Sequence, residues 1–117
     1  MQNIAGVFYL DLFGKKRTLK ATIGLTQRLE MEIFKRPLIR VLKESQLPPY
    51  EPFVCDVYTL IHEALIEGGD TRYSWEQVAE EILKKGGAPA VLVLYQEILA
   101  YMLTAGIVNE SPQDKKK

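Results

Sequence analysis

The sequence predicts an α+β fold that is mostly α, with an N-terminal two-stranded β-hairpin followed by four to five helices. Three observations carry this. Apolar and polar residues alternate over residues 5–23 on either side of Gly14, the period of two that a half-buried strand requires. From Leu25 onward the apolar residues return every three or four positions, the period of a helix. The last such run, residues 89–103, is apolar almost all the way round, so it is expected either at the centre of the domain or against a partner.

In the first strand, residues 5–12, Phe8, Leu10 and Leu12 share one face and Val7, Tyr9 and Asp11 the other. The second, residues 17–23, sets Leu19, Ala21 and Ile23 inward and Thr18, Lys20 and Thr22 outward. Gly14 between them supplies the positive φ of a tight turn, and the basic run Lys15-Lys16-Arg17 discourages the edges from pairing with another sheet. Two strands alone are marginal, so helices must cover the apolar face.

Leu25, Leu29 and Ile33 recur at four-residue steps and predict a first helix. Pro37 suits the first turn of a short second one, where its missing donor costs nothing. Leu38, Val41 and Leu42 are then buried, and Arg36, Arg40 and Lys43 face water. The prolines of residues 47–52 bias that stretch toward an extended connector. A core helix follows, with Val54, Val57, Tyr58, Ile61 and Leu65 inward and Gly68-Gly69 as its stop. Ser74-Trp-Glu-Gln77 has the spacing of a capping box and opens a helix with Val78, Ala79, Ile82 and Leu83 inward. Gly86-Gly87 end it, and Pro89 opens the last helix, which only Gln96 and Glu97 interrupt. Residues 1–108 thus form a single domain, and residues 109–117, with Pro112 and three terminal lysines, are expected to be a mobile tail.

Composition narrows the function. Fifteen Lys+Arg against fifteen Asp+Glu leave no net charge, so the field that draws a protein to nucleic acid or an anionic membrane is missing. The single cysteine, Cys55, has no internal partner, and no signal-peptide pattern opens the sequence, so a reducing cytoplasm is the expected compartment. A bilayer-spanning reading of the last helix fails because a carboxylate at mid-membrane costs about 2.5 to 3.5 kcal/mol.

No catalytic, cofactor-binding or metal set emerges. His62-Glu63 lacks the second histidine four residues on, where Ile66 stands. Cys55 and His62 lie about 10 Å apart by helical rise, too far to share a proton. Asp56, Glu63 and Glu67 read as a solvated flank, and the glycine pairs have no phosphate-loop context. A helix-turn-helix arrangement would present Ala, Val and Leu to a DNA groove, which reads base edges through polar side chains.

The order of parts, with Leu19-Lys-Ala-Thr-Ile-Gly24 after the glycine turn and Leu29-Glu30 on the first helix, resembles the tail assembly chaperones of gene transfer agents and long-tailed bacteriophages. Residues 3 to about 105 follow that plan; the Pro-Pro-Tyr-Glu-Pro connector departs from it. The resemblance implies a non-enzymatic protein in a bacterial host cell that coats the tape measure protein during tail assembly, without cofactor, nucleic acid or membrane. Partner contact is expected on the last helix, through Leu92, Tyr95, Leu99 and Met102. A structural tail tube component, a homo-oligomer, or a small nucleic-acid-binding regulator are the alternatives.

Overall fold

A computed structural model describes residues 6–46 and 53–108, with side chains as far as Thr104. Two antiparallel strands, β1 (Val7–Leu12) and β2 (Lys15–Lys20), open the chain. Five helices follow among the described residues: α1 (Ile23–Arg28), α2 (Leu38–Gln46), α3 (Val54–Glu67), α4 (Trp75–Lys84) and α5 (Ala88–Val108). The predicted architecture is observed. The expected connector, residues 47–52, and the expected tail, residues 109–117, lie outside the described residues.

The strand register pairs Leu12 with Lys15, leaving Phe13 and Gly14 as a two-residue turn with φ of 55° and 83°. Two positive φ values match the right-handed twist of the flanking strands, and glycine meets the second at no steric cost. Phe13 meets the first at a cost of about 1–2 kcal/mol for a left-handed residue with a side chain. Tertiary contacts offset it: its ring stacks on Tyr73 at 3.7 Å and its amide donates to Glu81 Oε1 at 3.1 Å. Leu12, Leu19 and Ala21 point inward as the alternation requires. Ile23 does not. It opens α1 and is 82% exposed, because Thr22 accepts the Leu25 amide with its hydroxyl and so starts a helix before the strand pattern is complete.

The first helix also departs from a uniform period. After Arg28 it widens into a π turn, Leu29–Ile33, closed by the Phe34 amide on the Leu29 carbonyl at 2.7 Å. The wider turn takes one additional residue, so Phe34, rather than Ile33, is buried together with Leu29. Lys35 then reverses the chain at φ 57°. The Pro37 carbonyl accepts the Arg40 and Val41 amides at the start of α2, and the Glu30 carboxylate accepts the Leu38 amide at 2.8 Å, capping that end.

The hub is α3, which packs on β2, α4 and α5 and buries Val57, Leu60, Ile61, Ala64 and Leu65 completely. Its C-terminus presses against β2 so closely that a side chain at Gly68 would meet the Thr18 carbonyl oxygen. Val54 lies in the first turn and is exposed, since the apolar stripe begins only where the helix reaches its neighbours. The capping box of α4 is complete: the Gln77 amide donates to Ser74 Oγ, and the Ser74 amide donates to Gln77 Oε1. Leu83, expected inside, is exposed at the far end of α4. The axis then turns by 117° into α5, which packs on α2, α3 and α4. Among the described residues no single helix is long and apolar enough to cross a membrane.

Candidate partner interface

The apolar last helix divides into two faces. Val91, Tyr95, Ile98 and Leu99 are buried, while Pro89, Ala90, Val93 and Glu97 are exposed, Val93 by 66%. Of the residues expected to touch a partner, Tyr95 and Leu99 are therefore core and offer no surface, whereas Leu92 and Met102 are half-buried. Apolarity alone selected all four, and apolarity ranks burial before it ranks binding. Among the described side chains of these two helices, Val93 on α5 and Leu83 on α4, 59% exposed, are the large apolar ones left to solvent.

The polar interruptions of α5 have separate roles. Gln96 reaches α2, where its amide donates to the Ser45 carbonyl at 2.6 Å, so it fastens two helices. Glu97 remains at the surface. The Tyr95 hydroxyl is buried without a hydrogen-bond partner. Burial raises its pKa far above the usual phenol value, with Asp56 and Glu44 adding to the effect and Arg36 opposing it, so it stays protonated.

Asp56, Glu63 and Glu67, expected as a solvated flank, and Arg36, expected to face water, are instead half-buried and paired. Arg36 donates to Glu44 Oε1 at 2.7 Å and Asp56 Oδ2 at 3.0 Å. Arg28 binds Glu63 at 3.0 Å and Glu67 at 3.6 Å, tying α1 to α3. His62 donates from Nε2 to the Tyr73 carbonyl at 3.1 Å, and its Nδ1 lies 3.8 Å from Glu63. These histidine contacts hold the loop before α4, and Cys55 is exposed at the other end of α3. No group of three or more potential metal ligands occurs among the described residues.

A second arginine cluster, invisible in the sequence because its members are more than fifty residues apart, clasps the hairpin to the loop between α3 and α4. Arg17, only 7% exposed, donates to the Leu12 carbonyl (2.9 Å), the Phe13 carbonyl (3.2 Å), Asp70 Oδ2 (3.3 Å) and the Tyr73 hydroxyl (3.3 Å). Arg72 closes on Asp70 from outside at 3.1 Å. That bond, together with the Arg17 charge, holds the Asp70 carboxyl below the ordinary carboxylate range. No family model, curated protein or solved structure matches the chain.

Proposed function

We propose that this protein is a non-enzymatic assembly chaperone of a phage-like tail, which holds the helical tape measure protein through exposed apolar residues before the tube forms around it. The observation that carries the reading is the outer surface of the last two helices, where Leu83 and Val93 face solvent although the core is already filled by the opposite face of α5. A tape measure is a long amphipathic helix that aggregates alone, and a helix of that kind docks by laying its apolar stripe on such a surface. Covering these residues would remove apolar area from water at roughly 25 cal/mol per Å², which favours association. The order of hairpin and helices is the plan that the resemblance implies.

Co-expression with a phage tape measure protein tests this. The expected result is a soluble complex that Val93→Asp with Leu83→Asp disrupts while the variant itself remains folded. A stable homo-oligomer on light scattering, with the tape measure left insoluble, would instead favour a structural tail component. Salt-dependent retention on DNA would favour a regulator.

A further inference from the structure

An open cleft lies against the arginine clasp. Where β2 meets the loop that follows α3, Lys16, Arg17, Thr18, Asp70, Thr71 and Arg72 line a depression of about 420 Å³. Its charges do not cancel: Lys16, Arg17 and Arg72 stand against Asp70, a surplus of two positive charges. Around it Lys15, Lys20 and Arg28 offset Asp11, Glu63 and Glu67, so the surplus stands.

The lining acid is already saturated. Asp70 accepts from Arg17 Nη1 at 3.3 Å, from Arg72 Nε and Nη2 at 3.1 Å each, and from the Arg72 amide at 3.4 Å. A carboxylate offers about four lone-pair sites, so none is left for Lys16. Lys16 is exposed, lies over the Tyr9 ring at 5.3 Å and makes no ion pair among the described residues. Arg72, its side chain 65% exposed, spends Nε and Nη2 on Asp70 and leaves Nη1 without a hydrogen bond among the described residues. The Thr71 amide likewise has no acceptor among them. Arg17, buried and held by the clasp, adds a positive charge that cannot move away.

We propose that this cleft binds the phosphate group of a small, polar phosphate monoester, with Lys16 and Arg72 Nη1 on its oxygens and Arg17 as a fixed positive charge in the wall. A monoester carries about −1.5 to −2 near neutral pH, which matches the surplus, whereas each diester phosphate of a nucleic acid carries about −1. The volume falls in the roughly 300–1,000 Å³ range of small-molecule sites and leaves room for the body that bears the phosphate, for which the hydroxyls of Thr18 and Thr71 supply polar contacts. The surplus is confined to one cleft of a chain with no net charge, unlike the basic stripe that follows a nucleic-acid backbone.

The site is independent of the chaperone reading, and no tail protein enters its test. The full chain, labelled with nitrogen-15, is titrated with inorganic phosphate at a pH above the second phosphate pKa of about 6. Dimethyl phosphate and sodium chloride at the same ionic strength are the controls. Saturable shifts are expected at the amides of Thr18, Thr71 and Arg72 with inorganic phosphate, and much smaller ones with either control. Lys16→Gln, which leaves every hydrogen bond of the clasp in place, should weaken phosphate binding by about fivefold, the upper end of what one exposed charge contributes. Lys43→Gln on α2 should leave it unchanged. Shifts that do not saturate, that dimethyl phosphate or chloride reproduces, or that Lys16→Gln leaves intact would overturn the proposal. So would a single-stranded oligonucleotide that moves the same amides at lower concentration than phosphate does, since the cleft would then serve a nucleic acid.

Discussion

Two arginines, each set among aromatic rings and carboxylates, anchor the chain at opposite ends of α3, and they are finished differently. Arg17 lies near Phe13 and Tyr73, sends hydrogen bonds to two backbone carbonyls, a carboxylate and a phenol, and is almost completely buried. Arg36 has Phe34, Phe53, Glu44 and Asp56, yet its Nε is buried without a partner and its surroundings expose Phe53 and Met31. The first cluster is complete within the chain and fixes the hairpin. The second holds α2 against α3 and leaves the apolar side chains Phe53 and Met31 at the surface. What separates the two arginines is thus the state of their neighbours, since the residue types are the same.

The largest expected effect sets the scale for this comparison. Leu99→Asp places a carboxylate at a fully buried position with no partner, and it should cost at least about 4 kcal/mol or prevent folding, read as the urea midpoint. Within the pair, Arg17→Ala leaves two backbone carbonyls without their side-chain donor and Asp70 with Arg72 alone, and should cost about 3 kcal/mol. Arg36→Ala breaks ion pairs whose members are a fifth to a quarter exposed, and about 1 kcal/mol is expected. Equal losses in the two variants would remove the distinction between a closed and an open cluster.

The clasp also carries a pH signature. The folded-state pKa of Asp70 is depressed, chiefly by its bond from Arg72, so its contribution is present above the unfolded value of about 3.9 and is lost as pH falls through the lower folded value. The stability difference between the wild type and Asp70→Asn should accordingly be constant near neutrality and shrink in acid below about pH 4. A difference that grows in acid would contradict the assignment. The smallest effect is expected at Tyr95→Phe, which removes a buried hydroxyl that has no partner: the midpoint should stay within about 1 kcal/mol of the wild type or rise.

Local rules made much of this fold legible. The hairpin follows from a period of two and Gly14, and the start of α4 from Ser74 and Gln77, three residues apart. Ile23, Val54 and Leu83 were misplaced because each stands at the end of an element, where the apolar stripe continues in sequence after the neighbouring surface has ended. The π turn escaped because a fixed 3.6-residue period has no place for an added residue. At the candidate interface, Leu92 and Met102 retain partial exposure, but Tyr95 and Leu99 are taken by the core, and Val93 was not singled out. Long-range pairings such as Arg17 with Asp70 leave no local trace in the sequence.

Hydrogen–deuterium exchange on the protein alone and in complex with a co-purified tape measure tests the central claim most directly. The account predicts added protection in α5 around Val93 and at the end of α4 around Leu83, with none in the clasp formed by the hairpin tip and residues 68–73. Protection confined to the clasp, or no change anywhere on adding the tape measure, would contradict it.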